Sequence, residues 1–286
     1  MRFVWQLLAV VVVTMIGGLT VAALEGNPWI QLVLGLLTSV LAVFVYGWVV
    51  RKTEHRPSTE VARKGAGSAV GRGMLIGVAM FGAVITNIYV NAHYEINGLG
   101  SVTGALGLVG FMSAAAVTEE LLFRGVLFRI IEEYTGTWIA LTLTAVVFGA
   151  SHLLNPHASL WGALAIAIEA GGMLAAAYAA TRTLWLPIGL HFGWNFAAAG
   201  IFSTEVSGND TPQGLLDTMT SGPTWVTGGD FGPEGSVYAV LFGALATIGF
   251  MWLAHKRGNL VPRRRADRAD RTDRADRAAA TTTLPR

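Results

Sequence analysis

Residues 29–50 read Trp29-Ile-Gln-Leu-Val-Leu-Gly-Leu-Leu-Thr-Ser-Val-Leu-Ala-Val-Phe-Val-Tyr-Gly-Trp-Val-Val50, a run with no charged side chain. A helix needs about 20 apolar residues to cross the hydrocarbon core of a bilayer, and this run has that length. Seven more runs of similar character flank it: Phe3–Leu24, Gly73–Val90, Gly104–Phe123, Trp138–Leu154, Leu160–Ala180, Trp185–Phe202 and Val237–Ala254. Only helices and closed barrels satisfy their backbone hydrogen bonds in lipid. The expected fold is therefore all-α, a polytopic transmembrane bundle of about eight spans. The first run follows Arg2 in the manner of a signal peptide, but its apolar stretch is longer than an ordinary signal core, so it reads as a span.

Composition agrees. The 286 residues are 53% hydrophobic and 13% charged, with a mean hydropathy of +0.52, about half the charge of a soluble domain. Cysteine is absent, which excludes disulfides, thiolate zinc sites and cysteine nucleophiles.

Lys and Arg set the orientation, because cytoplasmic loops hold an excess of them. With the N-terminus inside, the inner segments are Met1–Arg2, Arg51–Arg72, the turns at Arg129 and Arg182, and the chain after Lys256. They hold 19 of the 20 Lys and Arg residues, and the last, Arg124, lies at the inner end of the fourth span. The outer loops carry Glu25, Glu95, Glu205, Asp210, Asp217, Asp230 and Glu234. Both termini are thus expected in the cytoplasm, with the chain in the cell membrane. Seven of the nine Trp residues lie near span ends, as interfacial belts require.

The bundle reads as one domain over residues 1–256, followed by a tail over 257–286. From Arg263 the tail alternates Arg and Asp with almost no large apolar residue, a composition that cannot offset chain entropy and predicts disorder. The outer segment 203–236, rich in Gly, Thr, Pro and Asp, reads either as a loose connection or as a lid.

Ionisable groups inside a bilayer are costly, at about 2.5–3.5 kcal/mol each on insertion scales, and so mark function. The fourth span contains Glu119-Glu120-Leu-Leu-Phe-Arg124. Glu120 and Arg124, four apart, share a helical face and can pair. Glu119 points about 100° away, free to meet another helix as a proton acceptor. Read alone, the motif equally marks the inner end of the helix. The fifth span ends Phe148-Gly-Ala-Ser-His152, where a lone His serves as readily as an interfacial cap. The seventh contains Gly189-Leu-His191-Phe-Gly193-Trp-Asn195. His191 and Asn195 share a face, and Gly189 and Gly193 allow another helix to approach closely. Taken together, these groups comprise a base, a proton shuttle and oxyanion donors, the parts needed to add water to an amide. Glu169, in the sixth span before Gly171-Gly172, reads either as a cleft residue or as a packing residue, with the second preferred.

The three motifs, E-E-x-x-x-R, F-x-x-x-H and H-x-x-x-N in order on successive spans, resemble the CPBP (Abi) membrane protease family. It includes the type II CAAX prenyl endopeptidases and bacterial relatives linked to bacteriocin processing and self-immunity. The resemblance covers roughly residues 100–200, with a protease core at about 100–203, and implies an intramembrane endopeptidase acting on a membrane-associated peptide or protein, lipid-modified or not. It implies Glu119 as general base with His152 orienting the water, His191 and Asn195 stabilising the oxyanion, and Arg124 pairing with Glu120. It leaves a metal open: His152 and His191 with a carboxylate resemble a zinc set with a free position, and the family is described both as metalloproteases and as glutamate-dependent enzymes. No nucleic-acid partner is expected. Two other readings are a silent scaffold or immunity protein of the same fold, and a transporter, against which stands the lack of an internal repeat.

These span limits leave one conflict. They put His152 toward the outer end of the fifth span, and Glu119 and His191 in the middle or inner half of theirs. The residues meet only if the fifth helix is short or tilted, or a boundary is displaced.

Overall fold

A computed structural model describes residues 1–22 and 26–263. The chain is a helical bundle: α1 (Arg2–Ala22), α2 (Pro28–Glu54), α3 (Ala66–Asn91), α4 (Val102–Thr135), α5 (Thr137–Ser151), α6 (Leu160–Thr181), α7 (Trp185–Asn195, running on to 201) and α8 (Val237–Lys256). Seven of these are long and apolar enough to cross a membrane. The remaining expected span, the seventh, is α7, with 11 α-helical residues followed by six π-helical ones. It is shorter because it runs through the interior: Leu190, Trp194 and Ala197 to Ala199 are buried, and protein rather than lipid covers it.

Lipid-facing surfaces are apolar stripes at helical spacing. Val33, Leu37, Val40, Leu41 and Phe44 are exposed along α2, and Leu241, Leu245, Ile248 and Trp252 along α8. In water such stripes would be buried; in a bilayer they meet acyl chains, which is why these helices are apolar all round.

Glycines set the closest helix contacts. A methyl group on Gly73 of α3 would strike the backbone of Leu190, and one on Gly77 the backbone of Trp194. Gly189 and Gly193 lie equally close to the backbone of Val70 and Met74. The expected small-residue pair on the seventh span thus meets a matching pair on α3, bringing two backbones into contact.

The two ends of the bundle differ. At one end Arg129 meets Glu54 at 2.8 Å, Arg56 reaches Glu54 at 2.6 Å and Glu60 at 2.7 Å, and Arg182 pairs with Glu132. The start of the expected tail docks here: Arg257 Nη1 donates to Ala180 O (3.0 Å), Asn259 Nδ2 to the same oxygen (3.0 Å), and Val261 N to Thr137 Oγ1 (2.8 Å). Residues 257–262 are therefore part of the bundle rather than of a free tail, and 264–286 lie outside the described residues. At the other end α2, α4, α6 and α8 begin, with Asn27, Ser101, Ser159 and Ser236 as side-chain N-caps. Each supplies an oxygen to first-turn N–H groups that have no helical partner.

Segment 203–236, expected as a loose connection or a lid, is folded. Its strand β2 (Leu216–Ser221) pairs antiparallel with β1 (His93–Leu99), Glu95 opposite Met219. Short turns follow at Thr224–Thr227, Gly229–Phe231 and Pro233–Gly235. The segment packs over the end of the bundle that lacks the arginine pairs.

The conflict over His152 resolves through α4. This helix does not end at Phe123 but continues to Thr135, and Gly136, at φ 85°, turns the chain directly into α5. Glu119 lies 17 residues before that turn and His152 16 after it. At a rise of about 1.5 Å per residue, the two stand at the same height on antiparallel neighbours.

Candidate active site

Two of the three motifs, and Glu169, adjoin or lie in π-helical segments, while His152 begins a 3-10 turn. Leu121–Phe128 follows Glu120, Ala167–Gly172 contains Glu169, and Phe196–Ile201 follows Asn195. A π-turn adds a residue to the turn and leaves carbonyls free to accept outside the helix. Two are used at once: Arg124 Nη2 donates to Ala170 O (3.2 Å) and Gly171 O (3.1 Å).

Arg124 is 1% exposed and Glu120 fully buried. Arg124 Nη1 donates to Glu120 Oε1 at 2.7 Å, so the expected pairing is present. Buried charges need such matching, because neither recovers its hydration elsewhere. The guanidinium also sits 4.7 Å from the centroid of the Phe148 ring, a cation–π contact in a desolvated place. Phe148 meets Phe123 edge-on at 4.8 Å and has the His152 and His191 rings 4.9 Å and 6.1 Å away. Phe148 of the F-x-x-x-H motif thus packs against both histidines.

His191 stands between the two glutamates. Its Nδ1 lies 3.1 Å from Glu120 Oε1, and its Nε2 3.9 Å from Glu119 Oε2. Glu120, already neutralising Arg124, fixes the ring. Glu119 has a side chain 31% exposed, with no hydrogen-bond partner on Oε2, as expected for the residue turned away from the Glu120–Arg124 face. His152 Nδ1 is 2.8 Å from Phe148 O; a carbonyl only accepts, so Nδ1 carries the proton and Nε2 is left as an acceptor.

Glu119, His152, His191 and Asn195 line one cavity of about 230 Å³. Phe111, Met112, Ala115 and Phe123 of α4 make its apolar wall, and Ser207, Asn209 and Thr211 its polar one. A larger cleft of about 620 Å³ lies in segment 203–236 against Glu205, Asp210 and Asp230; it contains none of the motif residues. Glu169 does not line the motif cavity. It is fully buried, with neither carboxyl oxygen hydrogen-bonded, and it packs against Gly243 of α8.

Three further residues hold the cavity together. Trp194 Nε1 donates to Glu234 Oε1 at 2.8 Å, and Ser207 donates its hydroxyl (2.8 Å) and its N–H to Glu234 Oε2. Asn155 Nδ2 then donates to Ser207 O at 2.7 Å. Glu234 is 1% exposed; burial pushes its carboxyl above the ordinary value, and the hydrogen bonds from Ser207 and Trp194 pull it partly back. The sequence offered one signal, a Trp in mid-span away from the interfacial belts, whose buried indole N–H needs a partner.

Among the described residues, no three His, Asp or Glu side chains are grouped to hold a metal ion. His152 and His191 share the cavity, but two imidazoles with no third ligand grouped beside them do not fit a zinc set.

Residues 101–197 match the family described as type II CAAX prenyl endopeptidase Rce1-like. The match runs from the N-cap of α4 to two residues past Asn195, and so contains all three motifs. Over 150 residues the chain is 27% identical to the protein described as "Putative membrane peptidase YdiL" of Bacillus subtilis (strain 168), an alignment covering 48% of this chain and 59% of that relative. The chain thus spans about three-fifths of the relative it matches. No solved structure matches the chain. The family resemblance carried by the motifs is borne out.

Proposed function

We propose that this chain, whose residues 101–197 match the Rce1-like family of type II CAAX prenyl endopeptidases, is an intramembrane endopeptidase that uses Glu119 to activate water. The observation that supports this most is the convergence of Glu119, His152, His191 and Asn195, from three separate helices, on one cavity.

A water in that cavity donates to Glu119 Oε2 and to the bare Nε2 of His152. Glu119 takes its proton as the oxygen attacks the peptide carbonyl. Flanked by two carboxylates, His191 holds a proton on each ring nitrogen, one donated to Glu120 and the other to the oxyanion. The Asn195 amide is the second donor. Donors of this kind act strongly because they are already oriented and shielded from water. Glu119 then returns its proton to the leaving amine. The substrate is a membrane-associated peptide or protein. The two histidines alone fall short of a zinc set, so cleavage should withstand chelation.

The test is cleavage of a quenched fluorescent peptide library by purified protein in detergent, wild type against Glu119→Ala and His191→Ala. Loss of activity in both supports the reading. Cleavage that survives both substitutions overturns it and leaves a scaffold of the same fold.

A further inference from the structure

We infer that the catalytic cavity opens on the side of the membrane opposite the arginine-rich end. The bond it cuts then belongs to an extracytoplasmic segment of a membrane-anchored or exported peptide. For its chemistry the inference rests on the protease reading; the side of opening does not depend on it.

Two independent distributions coincide. The first is charge. No Lys or Arg occurs within residues 73–123, 130–181 or 183–255; of the three between these runs, Arg129 and Arg182 pair with Glu54 and Glu132 at one end of the bundle, and Arg124 is held by Glu120 inside it. A polytopic protein keeps such an end in the cytoplasm. The second is the position of the cavity. Its polar wall is Ser207, Asn209 and Thr211, from the folded segment at the opposite end.

The inward side is closed. One turn below Glu119 lies the Glu120–Arg124 pair with the Phe148 ring on it. Beneath these, Leu121, Val126 and Phe128 are fully buried. Along α4 the cavity follows Phe111, Met112 and Ala115, which all precede Glu119 and so lie between it and the outer end of the helix. Glu119 itself is 18 residues beyond Ser101, about 27 Å along the helix. A substrate therefore enters past polar outer residues and lays an apolar side chain against Phe111 and Met112. That pattern suits a segment leaving the outer surface of the membrane.

The chain has no Cys, so single cysteines report location directly. Thr211→Cys marks the mouth, Asp210→Cys the exposed position next to it, and Ala62→Cys, exposed in the loop between α2 and α3, marks the opposite end. A membrane-impermeant maleimide applied to intact spheroplasts should label Asp210→Cys and Thr211→Cys. It should reach Ala62→Cys only after permeabilisation. Labelling of Ala62→Cys in intact cells, with the mouth positions protected, overturns the inference whatever the enzyme does. In parallel, the quenched peptide library is added to right-side-out and inside-out vesicles, with Glu119→Ala as the blank. Cleavage at least about tenfold faster in right-side-out vesicles is expected, since only that side offers the mouth; the reverse preference also overturns the inference. If neither vesicle type shows Glu119-dependent cleavage, the protease reading fails and the labelling still decides where the cavity opens.

Discussion

His191 places Nδ1 3.1 Å from Glu120 Oε1, the same oxygen that receives Arg124 at 2.7 Å. One buried carboxylate therefore neutralises a guanidinium and orients an imidazole, while its neighbour Glu119 faces the cavity with Oε2 unbonded. Two adjacent glutamates have separate tasks because a single helical step turns them about 100° apart.

Substitution should separate those tasks. Glu120→Gln leaves Arg124 buried without a counter-charge, a kind of loss that costs about 3–5 kcal/mol. A lowered melting temperature in detergent is expected together with lost activity. Glu119→Gln should abolish cleavage and shift stability by no more than about 0.5 kcal/mol, because its side chain is partly exposed and its charged neighbour, His191 Nε2, stands 3.9 Å away. Thermal unfolding and peptide cleavage measured on both variants check this; equal stability loss in the two would refute the division.

The oxyanion donors should act on turnover. Asn195→Ala removes one of them, and about 100-fold to 1,000-fold is expected in kcat, with KM little changed. A change confined to KM would place Asn195 in substrate binding instead.

Helix contact distances give a structural prediction. Gly193 of α7 lies against the backbone of Met74, and Gly77 of α3 would meet Trp194 N at 2.6 Å if it carried a methyl group. Gly193→Val should force the helices apart and cost about 1–3 kcal/mol. It should reduce activity as well, because His191 and Asn195 move with α7. Activity retained at full level in a destabilised Gly193→Val protein would uncouple the site from this packing.

Glu234 predicts a pH effect on segment 203–236. Burial raises its carboxyl above the ordinary value in the folded state, so in the interval between the unfolded and folded values the folded chain binds more protons. Stability contributed there is present at low pH and is lost as pH rises through the folded value. Limited proteolysis within 203–236 should quicken over that interval, and Glu234→Gln should flatten the dependence. A wild-type rate that does not vary with pH would contradict the assignment.

Chelation tests the metal. With Glu119 and His152 sufficient to activate water, exhaustive dialysis against a chelator should leave peptide cleavage unchanged. Loss of activity restored by zinc would instead give His152 and His191 to a bound ion.

The membrane bundle was legible in the sequence because its causes are local. An apolar run of spanning length has few alternatives, and the distribution of Lys and Arg orders the loops without reference to contacts. The 3.6-residue period likewise sufficed to pair Glu120 with Arg124 and to turn Glu119 aside. The Gly189 and Gly193 pair also foretold a close helix contact, though not that α3 would supply the matching surface.

What only the tertiary structure decided is which groups stand at one height, and what closes them in. Glu119 and His152 meet because α4 runs on to Thr135 and Gly136 reverses the chain, a register that hydropathy cannot locate when polar residues occur inside a helix. The wall formed by Ser207, Asn209 and Thr211, and its attachment through Glu234 to Trp194, joins residues up to 40 positions apart. Sequence composition showed that segment only as Gly-rich and acidic. Hydrogen bonds between distant positions leave no periodic trace in a chain, so they become visible only once the helices are packed.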